Sequence, residues 1–447
     1  MLAPRIVLAA PKSGSGKTLL TCALLEAMKQ RKQRVRSFKC GPDYIDPMFH
    51  QKVLGIPSRN LDLFFTGEEQ TRALFLRDGK EDELSVIEGV MGLYDGLAGT
   101  SEEASTYHLA KTLEAPILLV VNARGMGRSI LAEIAGFLSM DEEKLIRGVI
   151  LNQTNASLYQ LIAPMIESKF GVAALGFFPN RTDLALESRY LGLKLPDEVE
   201  TLHEKVVQAA TQLAETVDLE RILAIANEAP ELVVPLQEEP AEEQTVRIAV
   251  ARDEAFCFYY EDNLKTLEQY GAEIVFFSPL RDKSLPVNVQ GVLLGGGYPE
   301  LLAKDLSENE EMKVATQKAL AAGLPSLAEC GGFMYLHDTL KTQDEKVYQM
   351  AGLIHGDCFY TGKLVRFGYA EVTMPDGNAV KGHEFHYFDS TANGEDCVAE
   401  KPITGKNWRL GHYGENHFWS FAHLYYPSCP QFAKWFVERC RAYKAAH

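Results

Sequence analysis

The feature that most constrains the fold is a glycine-rich loop that joins a short apolar strand to a helix near the start of the chain. The loop is Pro-Lys-Ser-Gly-Ser-Gly-Lys-Thr at residues 11–18, the strand pattern covers Arg5–Ala10, and the helical pattern covers Thr18–Gln30. Small residues let backbone amides approach a triphosphate, and the helix N-terminus adds partial positive charge. This order predicts a phosphate-binding loop in an α/β domain.

The loop supplies most of the predicted ATP contacts. Lys17 is expected to reach the β- and γ-phosphates, and the Thr18 hydroxyl is expected to bind Mg²⁺. Pro11 stands where the plain consensus has its first glycine. A chance turn of glycine and serine is the competing interpretation, and the strand–loop–helix order argues against it. The predicted ATP-binding residues of the loop are Lys12, Gly14, Ser15, Gly16, Lys17 and Thr18.

An acidic segment follows the second predicted strand, Arg34–Lys39. It reads Gly-Pro-Asp-Tyr-Ile-Asp-Pro at residues 41–47, with two carboxylates three residues apart between prolines. Such a sequence predicts a fixed loop rather than a helix. We expect Asp43, Tyr44 and Asp46 to lie at a substrate and phosphoryl site.

Two further carboxylates lie at or after the end of a third predicted strand. Glu88 ends the strand Leu84–Glu88, and Asp95 follows in a glycine-rich segment as a candidate for the substrate loops. Mg²⁺ prefers oxygen ligands and usually keeps several waters, so Thr18 with Asp43 or Glu88 would suffice as protein ligands. Carboxylates at strand ends can also be solvated or cap helices, and that interpretation stays open for each one taken singly.

Two later strand patterns complete the alternation of strands and helices in this half. Ile117–Val121 and Gly148–Leu151 are short apolar runs, and the whole pattern predicts a mostly parallel sheet with helices on both faces. Ligands should then lie at the carboxyl ends of the strands. Asn152 ends the last run, where an amide could contact a nucleotide base. Arg124 could contact phosphate or lie on the surface, and the sequence does not distinguish between these two positions.

A break in composition divides the chain into two predicted domains. Residues 228–244 are rich in Glu and Pro and predict a linker between an ATP-binding domain at residues 1–227 and a second domain at residues 245–447. The second domain alternates again, with strand patterns at Val246–Ala251 and Gly291–Leu294. We therefore expect it to be α/β as well.

A cysteine stands on a tight strand-to-helix turn in the second domain. Cys330 and Gly331 follow the predicted buried strand Leu324–Ala328. A nucleophile on such a turn needs small neighbours, and the amide of Gly331 would help to stabilise an oxyanion. Gly296 and Gly297 follow another buried strand and can supply the opposing amide.

A thiol nucleophile needs a base, and three histidines in the second domain are candidates. His423 is the best placed, with His383 and His386 as competitors. A buried cysteine at the end of a strand is ordinarily inert packing. The two glycine turns and the late histidine together favour a catalytic role for Cys330.

Charge and cysteine content argue against several classes of protein. A net charge of −16 disfavours nucleic acid and anionic membranes as partners, although a local basic pocket could still bind an anionic small molecule. The N-terminal apolar run is too short for a signal peptide, and no run approaches the roughly 20 apolar residues of a membrane span. The eight cysteines are scattered without a CxxC pair, which predicts reduced thiols in a cytoplasmic protein.

Over nearly its whole length, the chain resembles the cobyrinate a,c-diamide synthase family. Single loops are shared with cobyric acid synthase and other relatives, but their combination and order are specific. The phosphate loop with its extra Lys12 also resembles the deviant loop of the dethiobiotin synthetase and MinD class of ATPases. The segments that carry the resemblance are Lys12–Thr18, residues 41–47, Glu-Gly-Val-Met-Gly-Leu-Tyr-Asp-Gly at 88–96, Tyr-Leu-Gly-Leu at 190–193, Gly-Gly-Gly-Tyr-Pro-Glu at 295–300 and Glu-Cys-Gly-Gly at 329–332.

The resemblance implies a corrin-ring enzyme of vitamin B12 assembly. Its N-terminal domain would be dethiobiotin synthetase-like, and its C-terminal domain would be similar to class I glutamine amidotransferases. It would use ATP, glutamine and Mg²⁺ to amidate the a and c acetate side chains through acyl phosphates. Cys330 would be the nucleophile and His423 its partner. Many such glutaminases have Glu two residues after this histidine, but Tyr425 stands here, which suggests a Cys–His dyad or an orienting group from elsewhere.

Several alternatives remain beside this interpretation. The same chemistry could act on hydrogenobyrinate or on a nickel sirohydrochlorin, and cobyric acid synthase is a less close relative. A MinD-like regulatory ATPase would leave Cys330 unexplained, and a corrinoid carrier would not need the phosphate loop. The expected partner is a corrinoid or related tetrapyrrole, and a homodimer is left open because the sequence does not give the oligomeric state.

Overall fold

The computed structural model describes most of the chain as two compact units. The units are Met1–Gln237 and Glu238–His447. The segment at 190–193 lies outside the described residues, as does the larger part of the predicted linker at 228–244, so the domain boundaries remain predictions. The described residues are 3–80, 83–186, 196–233, 243 and 245–447.

The first unit alternates strands with helices along the described residues. Its strands are Arg5–Ala9 (β1), Val35–Cys40 (β2), Ser58–Leu61 (β3), Leu84–Glu88 (β4), Ile117–Asn122 (β5), Ile146–Asn152 (β6) and Ala173–Phe178 (β7). Its helices are Lys17–Gln30 (α1), Ile45–Lys52 (α2), Leu63–Asp78 (α3), Thr106–Thr112 (α4), Ile130–Met140 (α5), Ala156–Phe170 (α6), Pro196–Thr216 (α7) and Leu219–Asn227 (α8).

These strands form one parallel sheet. Among the described residues, seven strands pair in the order β3-β2-β4-β1-β5-β6-β7, and every neighbouring pair is parallel. Helices cover a parallel sheet on both faces, so its strands are buried, as the short apolar runs predicted. The predicted parallel α/β fold of this half is confirmed, while β3 and β7 were not predicted.

The acidic segment at 41–47 corrects one prediction. The structure does not keep it as a fixed loop, because α2 begins at Ile45 and includes Asp46 and Pro47. A proline in the first turn removes no intrahelical hydrogen bond, since the first amides of a helix have no intrahelical partner. Asp43 Oδ1 accepts a hydrogen bond from the amide of Ile45 at 2.8 Å, which stabilises the start of the helix.

Arg5 joins three segments of the first unit at the start of β1. Its guanidinium is fully buried and donates to the carbonyls of Leu113 at 2.6 Å, Ala3 at 2.9 Å and Pro230 at 2.8 Å. Burial lowers the pKa of Arg5 to about 10. The side chain thus holds the segment after α8 against the first strand.

The second unit is also α/β but contains more antiparallel structure. Its helices are Glu261–Gln269 (α9), Ala303–Glu308 (α10), Glu310–Ala321 (α11), Gly331–Tyr335 (α12) and Pro430–Ala446 (α13). Its strands are Val246–Ala251 (β8), Phe256–Phe258 (β9), Ala272–Phe277 (β10), Gly291–Leu294 (β11), Gly296–Gly297 (β12), Ser326–Glu329 (β13), His337–Lys341 (β14), Val347–Gln349 (β15), Ile354–Tyr360 (β16), Arg366–Thr373 (β17), Ala379–His386 (β18), Phe388–Ser390 (β19), Cys397–Glu400 (β20), Asn407–Leu410 (β21), His412–Tyr413 (β22), His417–Ser420 (β23) and His423–Leu424 (β24). Within the described part of the chain, no helix is long and apolar enough to cross a membrane.

The main sheet of the second unit has the order β10-β8-β11-β13-β23-β22 in the described residues. It is parallel except for the pair β22–β23. A second sheet has the order β21-β20-β17-β18-β24 and is antiparallel. The predicted strands β8 and β11 appear with the predicted bounds, whereas the antiparallel strands were not predicted.

We expect Arg5→Met to destabilise the first unit. Methionine keeps much of the side-chain volume but leaves three carbonyls without their donor, so the loss should be roughly 3 kcal/mol. The matched control is Arg147→Met, because Arg147 forms an exposed ion pair with Glu228 at 2.6 Å, which should contribute less than about 1 kcal/mol. Urea unfolding followed by circular dichroism measures both variants, and equal midpoints would contradict the role given to Arg5.

Candidate functional sites

The phosphate loop has the backbone conformation that its glycines permit. Gly14 and Gly16 have φ values of 76° and 96°, a region that glycine adopts without steric cost. A Cβ on Gly16 would lie 2.2 Å from Asn152 Nδ2, and this amide donates to the carbonyl of Ser15 at 2.8 Å. Asn152 therefore braces the loop from the end of β6, and its contact with a base remains a prediction.

Lys17 directs its ammonium at backbone oxygens in the loop region. Its Nζ donates to the carbonyl of Met91 at 2.5 Å and to the carbonyl of Lys12 at 3.4 Å. Burial, and then the charge of Lys39, lower the pKa of Lys17 to about 8. The side chain of Lys12 is exposed. Because neutral carbonyls hold the Lys17 ammonium, phosphate oxygens could replace them with stronger, charge-assisted hydrogen bonds.

Glu88 joins the phosphate loop to the end of β4. The Thr18 hydroxyl donates to Glu88 Oε1 at 2.6 Å, and the carboxyl is fully buried. Burial, and then the negative charge of Asp46, raise the pKa of Glu88 to about 8. His50 Nε2 lies 3.5 Å from Glu88 Oε2. The hydroxyl predicted to bind metal and one of the two predicted carboxylates are thus in direct contact.

Lys39 is a charged residue of this site that the sequence analysis missed. Its buried Nζ lies 2.6 Å from Asp46 Oδ2, 3.2 Å from Glu88 Oε1 and 3.9 Å from Asp43 Oδ2. Burial opposes its charge, but Glu88, Asp46 and Asp43 together raise the pKa of Lys39 above its usual value. A lysine at the penultimate position of the buried strand β2 was the available signal.

The two aspartates predicted for the substrate site differ in pKa. Burial opposes the charge of Asp46, but Lys39 outweighs that effect and lowers the pKa of Asp46 to about 2. Burial, and then Asp46, raise the pKa of Asp43 to about 6. One carboxylate is therefore ionised at neutral pH, while the other titrates close to it.

Tyr44 and Asp95 occupy the surrounding loops. Tyr44 is buried and precedes α2. Asp95 Oδ2 accepts a hydrogen bond from the amide of Gly92 at 3.0 Å and so shapes the loop after β4. This loop reaches the phosphate loop, because the amide of Leu93 donates to the carbonyl of Ala10 at 2.9 Å.

The residues around Thr18 and Glu88 fit a magnesium ion. Glu88 Oε2 is buried and accepts no hydrogen bond within the described residues, and an oxygen of this kind beside a hydroxyl suits a hard cation. No group of three or more His, Cys, Asp or Glu side chains in the described part of the chain could hold a metal. Mg²⁺ would therefore keep water or phosphate oxygens as its other ligands, as it usually does.

Cys330 lies at a strained turn between β13 and α12. Its φ is 46° and its ψ is −102°, a conformation that costs a non-glycine residue roughly 1–3 kcal/mol. Its amide donates to the carbonyl of Ser420 at 2.8 Å, and Ser420 lies on the neighbouring strand β23. The predicted turn is present, and it sets the thiol at the carboxyl end of a central strand.

The two glycine turns of the second unit lie together, as predicted. The amide of Gly332 donates to the carbonyl of Gly295 at 2.9 Å. A Cβ on Gly331 would lie 3.2 Å from the amide nitrogen of Gly297. The amide of Gly331, the next residue in the chain, lowers the pKa of the Cys330 thiol. Backbone amides from both turns are therefore available close to the thiol.

His423 lies against the glycine turn at residues 295–297. A Cβ on Gly296 would lie 2.4 Å from His423 Cε1, so only glycine fits there. The imidazole of His423 stacks on that of His383, with centroids 4.9 Å apart and planes at 14°. Burial, and then the charges of His383 and His386, lower the pKa of His423 well below its usual value. A neutral imidazole can accept a proton, as a general base must.

The competing histidine His386 is held by other groups. Its Nε2 lies 2.7 Å from Glu384 Oε2, and its Nδ1 lies 2.7 Å from the carbonyl of Phe388. Both ring nitrogens are engaged, so we assign it a structural role. His383 Nδ1 lies 3.3 Å from the hydroxyl of Tyr260.

Carboxylates surround the cysteine. Burial, and then the negative charge of Glu300, raise the pKa of the Cys330 thiol far above its usual value, with smaller contributions from Glu384 and Glu329. Burial also raises the pKa of Glu300 to about 7. The thiol is therefore protonated at neutral pH and needs a base in order to react.

Glu329 links the strand of the cysteine to the segment of the histidine. Its Oε1 accepts a hydrogen bond from the hydroxyl of Tyr426 at 3.0 Å, in the segment that follows His423. Burial raises the pKa of Glu329 to about 8. The hydroxyl of Tyr425 donates to Asp262 Oδ2 at 3.0 Å. The sequence analysis gave Glu329 no role, although a carboxylate at the end of a buried strand was visible.

Comparison with known proteins assigns each unit to a domain family. Residues 6–191 match the model of the CobQ/CobB/MinD/ParA nucleotide binding domain. Residues 247–427 match the model of the CobB/CobQ-like glutamine amidotransferase domain. The predicted fold class of both halves is confirmed.

Relatives that match nearly the whole chain share one name, cobyrinate a,c-diamide synthase. A cobyrinate a,c-diamide synthase of Caldanaerobacter subterraneus subsp. tengcongensis is 38% identical over 447 residues, which cover 98% of each chain. One from Dehalococcoides mccartyi is 36% identical over 464 residues, which cover 99% of each. A solved glutamine amidotransferase structure is 14% identical with a TM-score of 0.33, over 43% of this chain and 98% of its own, a likeness too low to support an inference.

We expect Glu300→Gln to make Cys330 more reactive, but only above about pH 7. The Glu300 carboxyl has a raised pKa of about 7, so its charge is present above that pH and opposes the thiolate. Removing this charge lowers the pKa of the thiol and should speed alkylation by iodoacetamide roughly three- to tenfold at pH 8.5. Near pH 5.5, where Glu300 is protonated, the rates should be equal.

Mass spectrometry of the alkylated peptide identifies Cys330 as the modified residue. The control is Glu371→Gln, because Glu371 is exposed on β17 and should leave the rate unchanged at every pH. An equal rate for Glu300→Gln and wild type at pH 8.5 would contradict the electrostatic effect given to Glu300.

Proposed function

The chain belongs to the cobyrinate a,c-diamide synthase family, and we propose that it uses ATP and glutamine to convert two acetate carboxylates of cobyrinate into amides. The observation that carries this proposal is the presence of two sites in one chain. One is the phosphate loop whose Thr18 contacts Glu88, and the other is the strained Cys330 turn beside the glycine turn at residues 295–297. An amide synthase that takes nitrogen from glutamine needs both.

The first step we propose activates the acceptor carboxylate. A ring-side carboxylate attacks the γ-phosphate of ATP, the bond from this phosphorus to the bridging oxygen breaks, and ADP leaves as an acyl phosphate forms. The Lys17 ammonium offsets negative charge on the phosphates, and Asp43 and Asp46 position the substrate. Bound Mg²⁺, held by Thr18 and Glu88, would neutralise charge on the phosphate oxygens.

The second step we propose releases ammonia from glutamine. The Cys330 sulfur attacks the side-chain amide carbon as His423 takes the thiol proton. Amides of Gly331 and Gly297 donate to the oxyanion of the tetrahedral intermediate. His423 then protonates the leaving nitrogen, ammonia departs, and a thioester remains until water hydrolyses it to glutamate.

The two steps meet when ammonia attacks the acyl phosphate. Ammonia is the nucleophile and phosphate is the leaving group, so each cycle consumes one ATP and one glutamine and forms one amide. Ammonia that becomes protonated in water cannot attack, so a route shielded from solvent is needed. Two such cycles account for an a,c-diamide.

The alternatives differ in substrate or in class. Hydrogenobyrinate and nickel sirohydrochlorin would use the same residues, so only turnover separates them from cobyrinate. A MinD-like regulatory ATPase has no use for the strained Cys330 turn or for Gly296, whose place against His423 excludes a side chain. The amidotransferase chemistry accounts for both features.

We expect Cys330→Ala to abolish glutamine-dependent amidation and to keep ammonium-dependent amidation. Without the thiol no thioester forms, and the glutamine-dependent rate should fall at least about 10³-fold. The measurement is product mass after incubation with ATP and cobyrinic acid, where wild type should gain two amides. The matched control is Cys429→Ala, since Cys429 is a buried cysteine at the start of α13 that has no role in either proposed site, and this variant should retain both activities.

Two other outcomes would each contradict part of the proposal. A Cys330→Ala variant as active as wild type with glutamine would remove Cys330 from the mechanism. A wild-type protein that gains no amide on cobyrinate, hydrogenobyrinate or nickel sirohydrochlorin would overturn the tetrapyrrole assignment.

We expect Thr18→Ala to raise the Mg²⁺ concentration needed for half-maximal ammonium-dependent activity, by about tenfold or more. The variant loses the hydroxyl that contacts Glu88, while Thr18→Ser keeps it and should stay close to wild type. Ammonium as the nitrogen source isolates the first unit from the glutaminase. An unchanged Mg²⁺ requirement in Thr18→Ala would contradict the proposed metal site.

A further inference from the structure

Three large aromatic side chains of the second unit are exposed side by side. Their exposed fractions are 62% for Phe367, 51% for Phe385 and 41% for Tyr387. The centroids of Phe367 and Phe385 are 5.6 Å apart, and those of Phe385 and Tyr387 are 5.9 Å apart. Exposed aromatic side chains grouped in this way mark a binding surface more often than isolated ones do. We call Phe367, Phe385 and Tyr387 the aromatic patch.

The patch belongs to one face of an antiparallel strand pair. Phe367 on β17 is the register partner of Phe385 on β18, so their side chains leave the sheet on the same side. Phe385 is also in contact with Tyr387, so the three rings form one exposed aromatic cluster.

The same face continues to the glutaminase site. His383 lies two residues before Phe385 on β18, which places both side chains on one face roughly 7 Å apart. His383 stacks on His423 with centroids 4.9 Å apart. A ligand on the aromatic patch would thus lie beside the histidine that we propose as the base for Cys330.

The charge around the patch favours an anionic ligand. Residues 360–369, Tyr-Thr-Gly-Lys-Leu-Val-Arg-Phe-Gly-Tyr, contain no acid, in a chain whose net charge is −16. The Thr361 hydroxyl donates to the carbonyls of both Lys363 and Tyr387, which places Lys363 next to the patch. Lys363 is exposed and forms no ion pair within the described residues. Aromatic surface and unpaired positive charge together suit a ligand that is both flat and acidic.

We propose that the aromatic patch, with Lys363 at its rim, binds the ring of the tetrapyrrole acid, which makes it a substrate-binding site on the glutaminase unit. This inference rests on the proposed function. The ring offers an extended apolar face to Phe367 and Phe385, and one of its carboxylates is the partner for Lys363. A ring held there would keep the acceptor close to the source of ammonia.

The test is the double variant Phe367→Ala/Phe385→Ala, assayed with cobyrinic acid, ATP and ammonium. We expect the KM for cobyrinic acid to rise about tenfold or more, because stacked aromatic contacts are removed. The rate of glutamate release from glutamine in the absence of cobyrinic acid should be unchanged, since neither phenylalanine takes part in the reaction that we propose at Cys330. Equilibrium binding of cobyrinic acid, followed by protein fluorescence, should weaken by the same factor.

A matched control separates the patch from exposed aromatic residues in general. Phe276 on β10 is 47% exposed but belongs to the other sheet, so Phe276→Ala should leave the KM unchanged. Lys363→Glu should also raise the KM, and its effect should shrink as salt concentration rises, because salt screens exposed charges.

The outcomes distinguish this inference from the proposed function. If wild type amidates cobyrinate and the double variant has the same KM and binding, the patch is not a substrate site and the proposed function stands. If the double variant instead changes the oligomeric state at an unchanged KM, the patch is a protein contact and the inference is wrong. If wild type neither binds nor amidates the ring, both fail together.

Discussion

The structure depends on a property of parallel strands, whose carboxyl ends all meet at the same edge of a sheet. In the first unit, the ends of β1, β2 and β4 bring together the phosphate loop, Lys39 and Glu88. In the second unit, the ends of β11 and β13 bring together the glycine turn and Cys330. Because the strands themselves are buried, polar side chains and free backbone amides come together at their carboxyl ends. Both sites therefore follow from the parallel arrangement of the strands.

Burial makes the chemistry of these sites depend on neighbouring charges. In the first unit, the ammonium of Lys39 keeps Asp46 ionised, while Glu88 and Asp43, which are less well compensated, bind their protons more tightly. Such a cluster offers an ionised group and two groups that titrate closer to neutral pH, all within reach of the phosphate loop. A cation that binds there would favour the ionised form of Glu88.

In the second unit, burial holds Cys330 and His423, the nucleophile and base that we propose, in their neutral forms. The thiol of Cys330 is disfavoured as a thiolate by burial and by Glu300, and His423 is disfavoured as an imidazolium. A neutral pair avoids the cost of separated charges in an apolar site and leaves proton transfer to the moment when substrate arrives. Glu329, next to Cys330, accepts a hydrogen bond from Tyr426 in the segment after His423, and the aromatic patch begins two residues from His383 on β18.

The sequence by itself determined the features that are local in the chain. The phosphate loop, the Cys330 turn, the second glycine turn and the strands at Leu84–Glu88 and Gly291–Leu294 each depend on a few consecutive residues, because small residues and buried apolar runs act through local backbone geometry. The helix at Ile45, the Lys39–Glu88 contact, the stack of His383 on His423 and the aromatic patch were decided by the tertiary structure. Each of the three contacts joins side chains through strand order and register, which no local pattern encodes. The helix forms because Pro47 falls in its first turn, where no intrahelical hydrogen bond is lost.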